Sequence, residues 1–298
     1  MAENKKWRDH PSNPLVEAPW PQWILADPTV LTNQEGPDGQ WHLFAYSLLG
    51  IYHYVSTDGI EWKKPSRLFF GLRPFVMKDN GDYYLFYERP TFSLHSAIAF
   101  RKSPDLKNWS VEKILLAPSL KWEGRNLACP FVSKMDDGYR LYYSANLVFL
   151  KDCLYFEPRY IGMATAKTVD GHYEKYPSPI IQPDSKTPWC NLGSGSIKVY
   201  PNSIGGFTAY NNGIYSNPEG QSSSAIRRLT SADGLRWSEA QTTPIIIPEG
   251  TGWKRAFVYA FDVKKVGKQR WLYYNARDGW VFGRERIGLA ICDEEVDF

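Results

Sequence analysis

One local pattern recurs five times along the chain: a short strand, a turn, a strand rich in aromatics, then a strand closed by Ser/Thr-x-Asp-Gly-x-x-Trp or a worn form of it. The aromatic strands run from Trp41 to Ser47, Tyr83 to Glu88, Arg140 to Ser144, Phe207 to Asn211 and Trp271 to Asn275. Repeats of roughly 40 to 65 residues, each with several short strands, predict an all-β fold, a five-bladed β-propeller, rather than a helical solenoid. A blade of this size cannot bury both of its faces alone, so the copies must stack around an axis.

The closers support that reading. They stand at Ser56, Asp58, Gly59 and Trp62, at Ser103, Asp105 and Trp109, and at Ser231, Asp233, Gly234 and Trp237, with a weaker copy at Asp170, Gly171 and Tyr173. Asp-Gly supplies a tight turn, and the Trp four residues after the Asp is placed to cap the blade. No window sustains a helical repeat over three turns. No linker of biased composition divides the 298 residues, so a single domain is expected, with blades over roughly 24–65, 70–112, 126–176, 192–240 and 255–293.

Composition narrows the function. A hydrophobic content of 43% suffices for a large core, and a mean hydropathy of -0.43 argues against a membrane protein. The polar start, Met1 to Lys6, lacks the apolar region of a secretory signal, so cytoplasmic residence is expected, or secretion if a signal has been removed. Cys129, Cys153, Cys190 and Cys292 lie far apart with no Cys-x-x-Cys, which favours free thiols over zinc or disulfides. A formal charge of +3 without a basic tract excludes nucleic acid as the expected partner. Oligomeric state is not legible.

In a blade, the start of the innermost strand and the end of its neighbour open on one face. The inner strands begin Asp27-Pro28, Arg73-Pro74 and Cys129-Pro130, and each Pro is expected to hold the residue before it extended. Asp27, Arg73 and Cys129 are therefore equivalent positions around the axis, Cys129 as a small apolar filler. The fourth blade offers Ser194 and Ser196, the fifth Val258 or Tyr259. The aromatic strands end in Ser47, Glu88, Ser144, Asn211 and Asn275, of which only Glu88 is acidic. Asp27 and Glu88 are thus the candidate catalytic pair. One protonated and one ionised carboxyl in a polar pocket is what glycosidic bond cleavage requires.

Around them the loops and strand ends gather Arg73, Arg89, Arg125, Asn126, Asn146, Ser194, Asn211, Asn212, Asn275, Arg277 and Asp278 as candidate substrate contacts. Trp23, Trp122, Trp189 and Trp280 are candidate sugar-stacking surfaces. His95 is a second-tier proton donor, whereas His53 reads as structural.

Asp27-Pro28 behind Trp23, the Pro-led inner strands, the aromatic strand ending in Tyr87 and the Asp-Gly-x-x-Trp closers resemble the five-bladed propellers of glycoside hydrolase family 43 and its invertase-like and levansucrase-like relatives, over Asn13 to Cys292. The resemblance implies that Asp27 is the general base of an inverting enzyme or the nucleophile of a retaining one. It also implies an Asp heading the third inner strand and a Glu heading the fourth, where this chain has Cys129 and Ser194.

The combined expectation is a glycoside hydrolase acting on an oligo- or polysaccharide, with Asp27 as base or nucleophile and Glu88 as proton donor. The arginines lean toward an anionic glycan. The alternatives are a non-catalytic carbohydrate-binding propeller and a glycoside phosphorylase or transglycosylase on the same scaffold. No cofactor is expected; the resemblance leaves an axial ion such as calcium open, but no calcium-loop spacing supports one.

Overall fold

The computed structural model describes residues 7–91 and 95–293. Strand β1 (Arg8–Asp9) precedes the first blade, which consists of β2 (Ala26–Leu31), β3 (Trp41–Ser47), β4 (Gly50–Ser56) and β5 (Ser66–Arg67). Blade 2 is β6 (Leu72–Asp79), β7 (Asp82–Pro90), β8 (Ser96–Ser103) and β9 (Lys113–Leu116). Blade 3 is β10 (Leu127–Met135), β11 (Gly138–Leu150), β12 (Tyr155–Ala166) and β13 (Glu174–Lys175). Blade 4 is β14 (Gly193–Pro201), β15 (Phe207–Ser216), β16 (Ser222–Ser231) and β17 (Ser238–Glu239). In blade 5, β18 (Phe257–Val266), β19 (Gln269–Arg277) and β20 (Glu285–Cys292) are completed by β1, which pairs antiparallel with β20. The fold is a five-bladed β-propeller, and none of its described helices is long and apolar enough to cross a membrane.

The closers act as tight turns and as wedges. In blades 1, 2 and 4 the Asp carboxylate accepts two backbone N–H groups, those of Ile60 and Glu61 at 2.8 and 2.9 Å in blade 1, and takes the hydroxyl of the preceding Ser. Each Trp then enters the seam with the preceding blade: Trp62 meets Tyr273 of blade 5 edge-on, and Trp109 meets Phe44 of blade 1. Tyrosine hydroxyls cross the same seams, Tyr273 to the Gly59 carbonyl and Tyr83 to that of Glu35, each at 2.9 Å. At the axis, Thr29 Oγ1 links Asp262 of blade 5 to the Val76 N–H of blade 2.

Blade 3 departs from the repeat. Its β11–β12 hairpin is made of 13- and 12-residue strands, longer than any other among the described residues. Asp152 at its tip accepts the Ser222 N–H at 2.7 Å and the Ser222 hydroxyl at 2.6 Å, which pins it to blade 4. Leu150 and Cys153 share an apolar cluster with Ile214, Phe257 and Tyr259, so the hairpin roofs one side of the funnel formed by blades 4 and 5.

Candidate active site

Every inner strand carries the same β-bulge at the funnel end, where three residues of the inner strand span two of its partner. The bulged pairs are Asp27-Pro28, Arg73-Pro74, Cys129-Pro130, Gly195-Ser196 and Tyr259-Ala260. A bulge re-aims side chains, here toward the axis. Asp27, Arg73 and Cys129 adopt φ of 53°, 49° and 47°, left-handed rather than the extended conformation expected before Pro. Proline disfavours the right-handed helical region for its predecessor, and the bulge selects the left-handed one.

The same geometry corrects the fourth blade. Gly195, not Ser194, holds the bulged position, and Ser194 is fully buried against Asn211. Asn211 in turn accepts Arg227 Nε at 3.1 Å and Nη2 at 2.7 Å, so both residues belong to an internal polar network. In the fifth blade the position is Tyr259.

Asp27, Tyr46, Arg73, Cys129, Glu157, Asn212, Tyr259, Asn275 and Glu285 line one pocket at the axis. Three carboxyl groups therefore converge where two were expected, and Glu88 is not among them. Glu88 bonds the Arg73 guanidinium and lines a neighbouring chamber between blades 2 and 3. Glu88 thus lines a chamber next to the one that Asp27 lines, the side chain after the closing tyrosine of β7 turning toward the blade 2–3 seam, while its charge still adds to the rise of the Asp27 carboxyl.

Glu157 arrives from the third strand of blade 3, where neither inner-strand heads nor second-strand ends would reveal it. Its position depends on β12 pressing against blade 4. A Cβ on Gly193 would come within 2.4 Å of the Pro158 carbonyl oxygen, so the glycine permits that approach. Glu157 is 5% exposed, its Oε1 has no hydrogen-bond partner, and the Tyr259 hydroxyl lies beside its carboxyl.

Electrostatics separate the three acids. Burial pushes Asp27 up to about 6, against the pull of Arg73 and Lys198. Burial pushes Glu285 to about 7, with Arg277 opposing and Asp27 adding to it. Burial pushes Glu157 to about 8, with Arg73 opposing and Glu285 adding. Asn275 ties two of them together: its Oδ1 accepts the Asp27 N–H at 3.1 Å, and its Nδ2 donates to Glu285 at 3.2 Å. Arg277 is buried, 3.9 Å from Glu285, and covers the Tyr155 ring of the blade 3 hairpin at 5.6 Å from its centroid.

The remaining expected contacts divide. Asn212 reaches the pocket, with Nδ2 donating to the Val258 carbonyl at 2.9 Å. Asn126 and Asn146 line the chamber between blades 2 and 3. Trp23, Arg277 and Asp278 border a third depression with Phe282, where Asp278 pairs with Arg286. Arg89 turns outward to Glu112 at 2.8 Å, and the exposed Arg125 and His95 are brought to none of these pockets, because all three lie where the chain has left the axis. Trp122, Trp189 and Trp280 each donate the indole N–H to a backbone carbonyl, of Pro177, Thr242 and Ser222, and serve as packing. Among the described residues no group of three His, Cys, Asp or Glu side chains is placed to hold a metal ion.

The chain thus presents a family-43-like propeller with an acid-lined axial pocket. The sequence profile of glycosyl hydrolases family 43 matches residues 68–187. No curated protein matches in sequence. Among solved structures, the catalytic domain of a family 62 α-L-arabinofuranosidase from Coprinopsis cinerea is similar, with 15% identity over 96% of each chain and a TM-score of 0.71. A structure described as a glycoside hydrolase has 13% identity over 95% of this chain and 91% of its own, with a TM-score of 0.70. An N-acetylgalactosamine deacetylase from F. plautii, bound to blood group B trisaccharide, has 13% identity over 98% of this chain and 96% of its own, at 0.69. At such identities the likeness establishes the shared fold.

Proposed function

We propose that this propeller is a glycosidase that removes a terminal, uncharged sugar, with Asp27 as the ionised carboxylate, acting as base or nucleophile, and Glu157 as the proton donor. The observation that carries this is one pocket holding two carboxyl groups whose environments separate them to about 6 and about 8. At neutral pH the first is ionised and the second protonated, which is the division of labour that glycoside cleavage needs. The hairpin roof suits a chain end better than the middle of a polymer.

A neutral sugar replaces the anionic one expected from the arginine count. Arg73 is engaged by Glu88, and the ionised Asp27, with Glu285 near its midpoint at neutral pH, would repel a further negative charge.

The test is hydrolysis of a panel of 4-nitrophenyl glycosides. Activity is expected on at least one, with kcat/KM falling below about pH 6 as Asp27 is protonated and above about pH 8 as Glu157 ionises. Glu157→Gln should lose about 10²- to 10⁴-fold on unactivated glycosides and much less on 2,4-dinitrophenyl glycosides, whose leaving group needs no proton. A Glu157→Gln enzyme as active as the parent on unactivated substrates would refute the assignment.

A further inference from the structure

The chamber between blades 2 and 3 is separated from the catalytic pocket by a thin partition. Arg73 and Pro158 border both cavities. Glu157 lies within that partition: on β12 its neighbours Phe156 and Pro158 face the outer chamber, while its own carboxyl enters the inner pocket. The proton donor therefore stands on a wall these two cavities share.

The outer chamber is built for a polar ring. Glu88 is 6% exposed and presents a carboxylate held in place by Arg73. Ser144 is fully buried, and its hydroxyl has no sound hydrogen bond, with only the Cys129 thiol beside it. That hydroxyl is closed to the chamber, so the polar contact the chamber offers is the Glu88 carboxylate. Phe156, 55% exposed, supplies an aromatic wall at the mouth, and aromatic faces take the C–H face of a sugar.

Resting on the glycosidase reading, we infer that this chamber is the leaving-group subsite and takes the sugar on the far side of the scissile bond, with Phe156 as its stacking platform and Glu88 as a hydroxyl contact. The glycosidic oxygen then lies at the partition, within reach of the Glu157 proton. That proton passes to the departing oxygen as the bond to the terminal sugar breaks. The substrate is accordingly at least a disaccharide, and its penultimate unit carries free hydroxyls.

The experiment uses the full chain as Glu157→Gln, which retains the pocket without turnover, on a glycan array of neutral mono-, di- and trisaccharides, with and without Phe156→Ala. The expected result is binding of a disaccharide at least about tenfold tighter than of its terminal monosaccharide, with most of that gain lost in the Phe156→Ala background. Phe156 is half in solvent, and a thermal melt confirms that the double variant is folded. Binding that is indifferent to chain length, insensitivity to Phe156, or no bound glycan would each overturn the subsite. Failure of the parent on the aryl-glycoside panel with chain-length-dependent binding intact would instead remove the catalytic reading and leave the chamber as a second sugar-binding subsite.

Discussion

At the scale of single residues, burial governs how the acids and histidines titrate. His53 stacks on Phe44 with ring centroids 4.3 Å apart, and its Nε2 meets His42 Nδ1 at 2.9 Å, while His42 Nε2 meets Asp38 at 3.0 Å. Desolvation, with a smaller push from His42, holds His53 near 3 instead of its ordinary 6.5. Between those values the unfolded chain binds a proton that the folded one refuses. Stability is therefore intact above about pH 6.5 and declines as pH falls toward 3, by a few kcal/mol at most. Urea midpoints at pH 7 and pH 5 should show the decline, and His53→Phe should flatten it relative to the parent. At the same scale, Asp27→Asn should abolish hydrolysis and leave the melting temperature at pH 7 unchanged or higher, since it removes a carboxylate that burial disfavours and keeps the backbone contact to Asn275; retained glycan affinity without turnover would be its signature.

At the scale of elements, legibility in the sequence follows repetition. The aromatic strands and their Asp-Gly closers recur, so the blades and even the equivalence of Asp27, Arg73 and Cys129 can be read from X-Pro at three strand heads. The fourth and fifth heads, Gly195-Ser196 and Tyr259-Ala260, lack the Pro and lose the alignment. Glu157 is hidden for a different reason. It belongs to the one hairpin that outgrows the repeat, and its arrival at the axis depends on contacts between blades that no single strand encodes. The available signal was the length of that hairpin together with Glu-Pro inside a strand. Gly193 offers a direct check: Gly193→Ala must push β12 away from blade 4, and kcat should fall at least about tenfold even though the carboxyl groups are untouched. Gly59 tests the closers, since its φ of 79° and a Cβ only 2.8 Å from the Tyr273 hydroxyl make Gly59→Ala destabilising by more than about 1 kcal/mol in denaturant titrations. Blade 2 meets the same turn with Leu106 at φ 61°, where burial of the side chain in the seam offsets the unfavourable backbone.

At the scale of the whole molecule, the ring is joined by a two-residue strand. β1 supplies the outer edge of blade 5, and Asp9 takes both the Tyr274 hydroxyl at 2.7 Å and the Lys254 ammonium. Asp9→Ala should therefore lower the melting temperature by several degrees without altering the pH dependence of hydrolysis, which arises across the axis; a shift of that profile would show the junction coupled to the pocket. There is also a consequence in time. The strand that closes the ring is made well before its partner, 283 positions apart at Arg8 and Ile291, so the earlier blades must wait as an open arc with an uncovered flank. A nascent chain stalled before β18 to β20 would be a substrate for chaperones and proteases, however well its first four blades had formed.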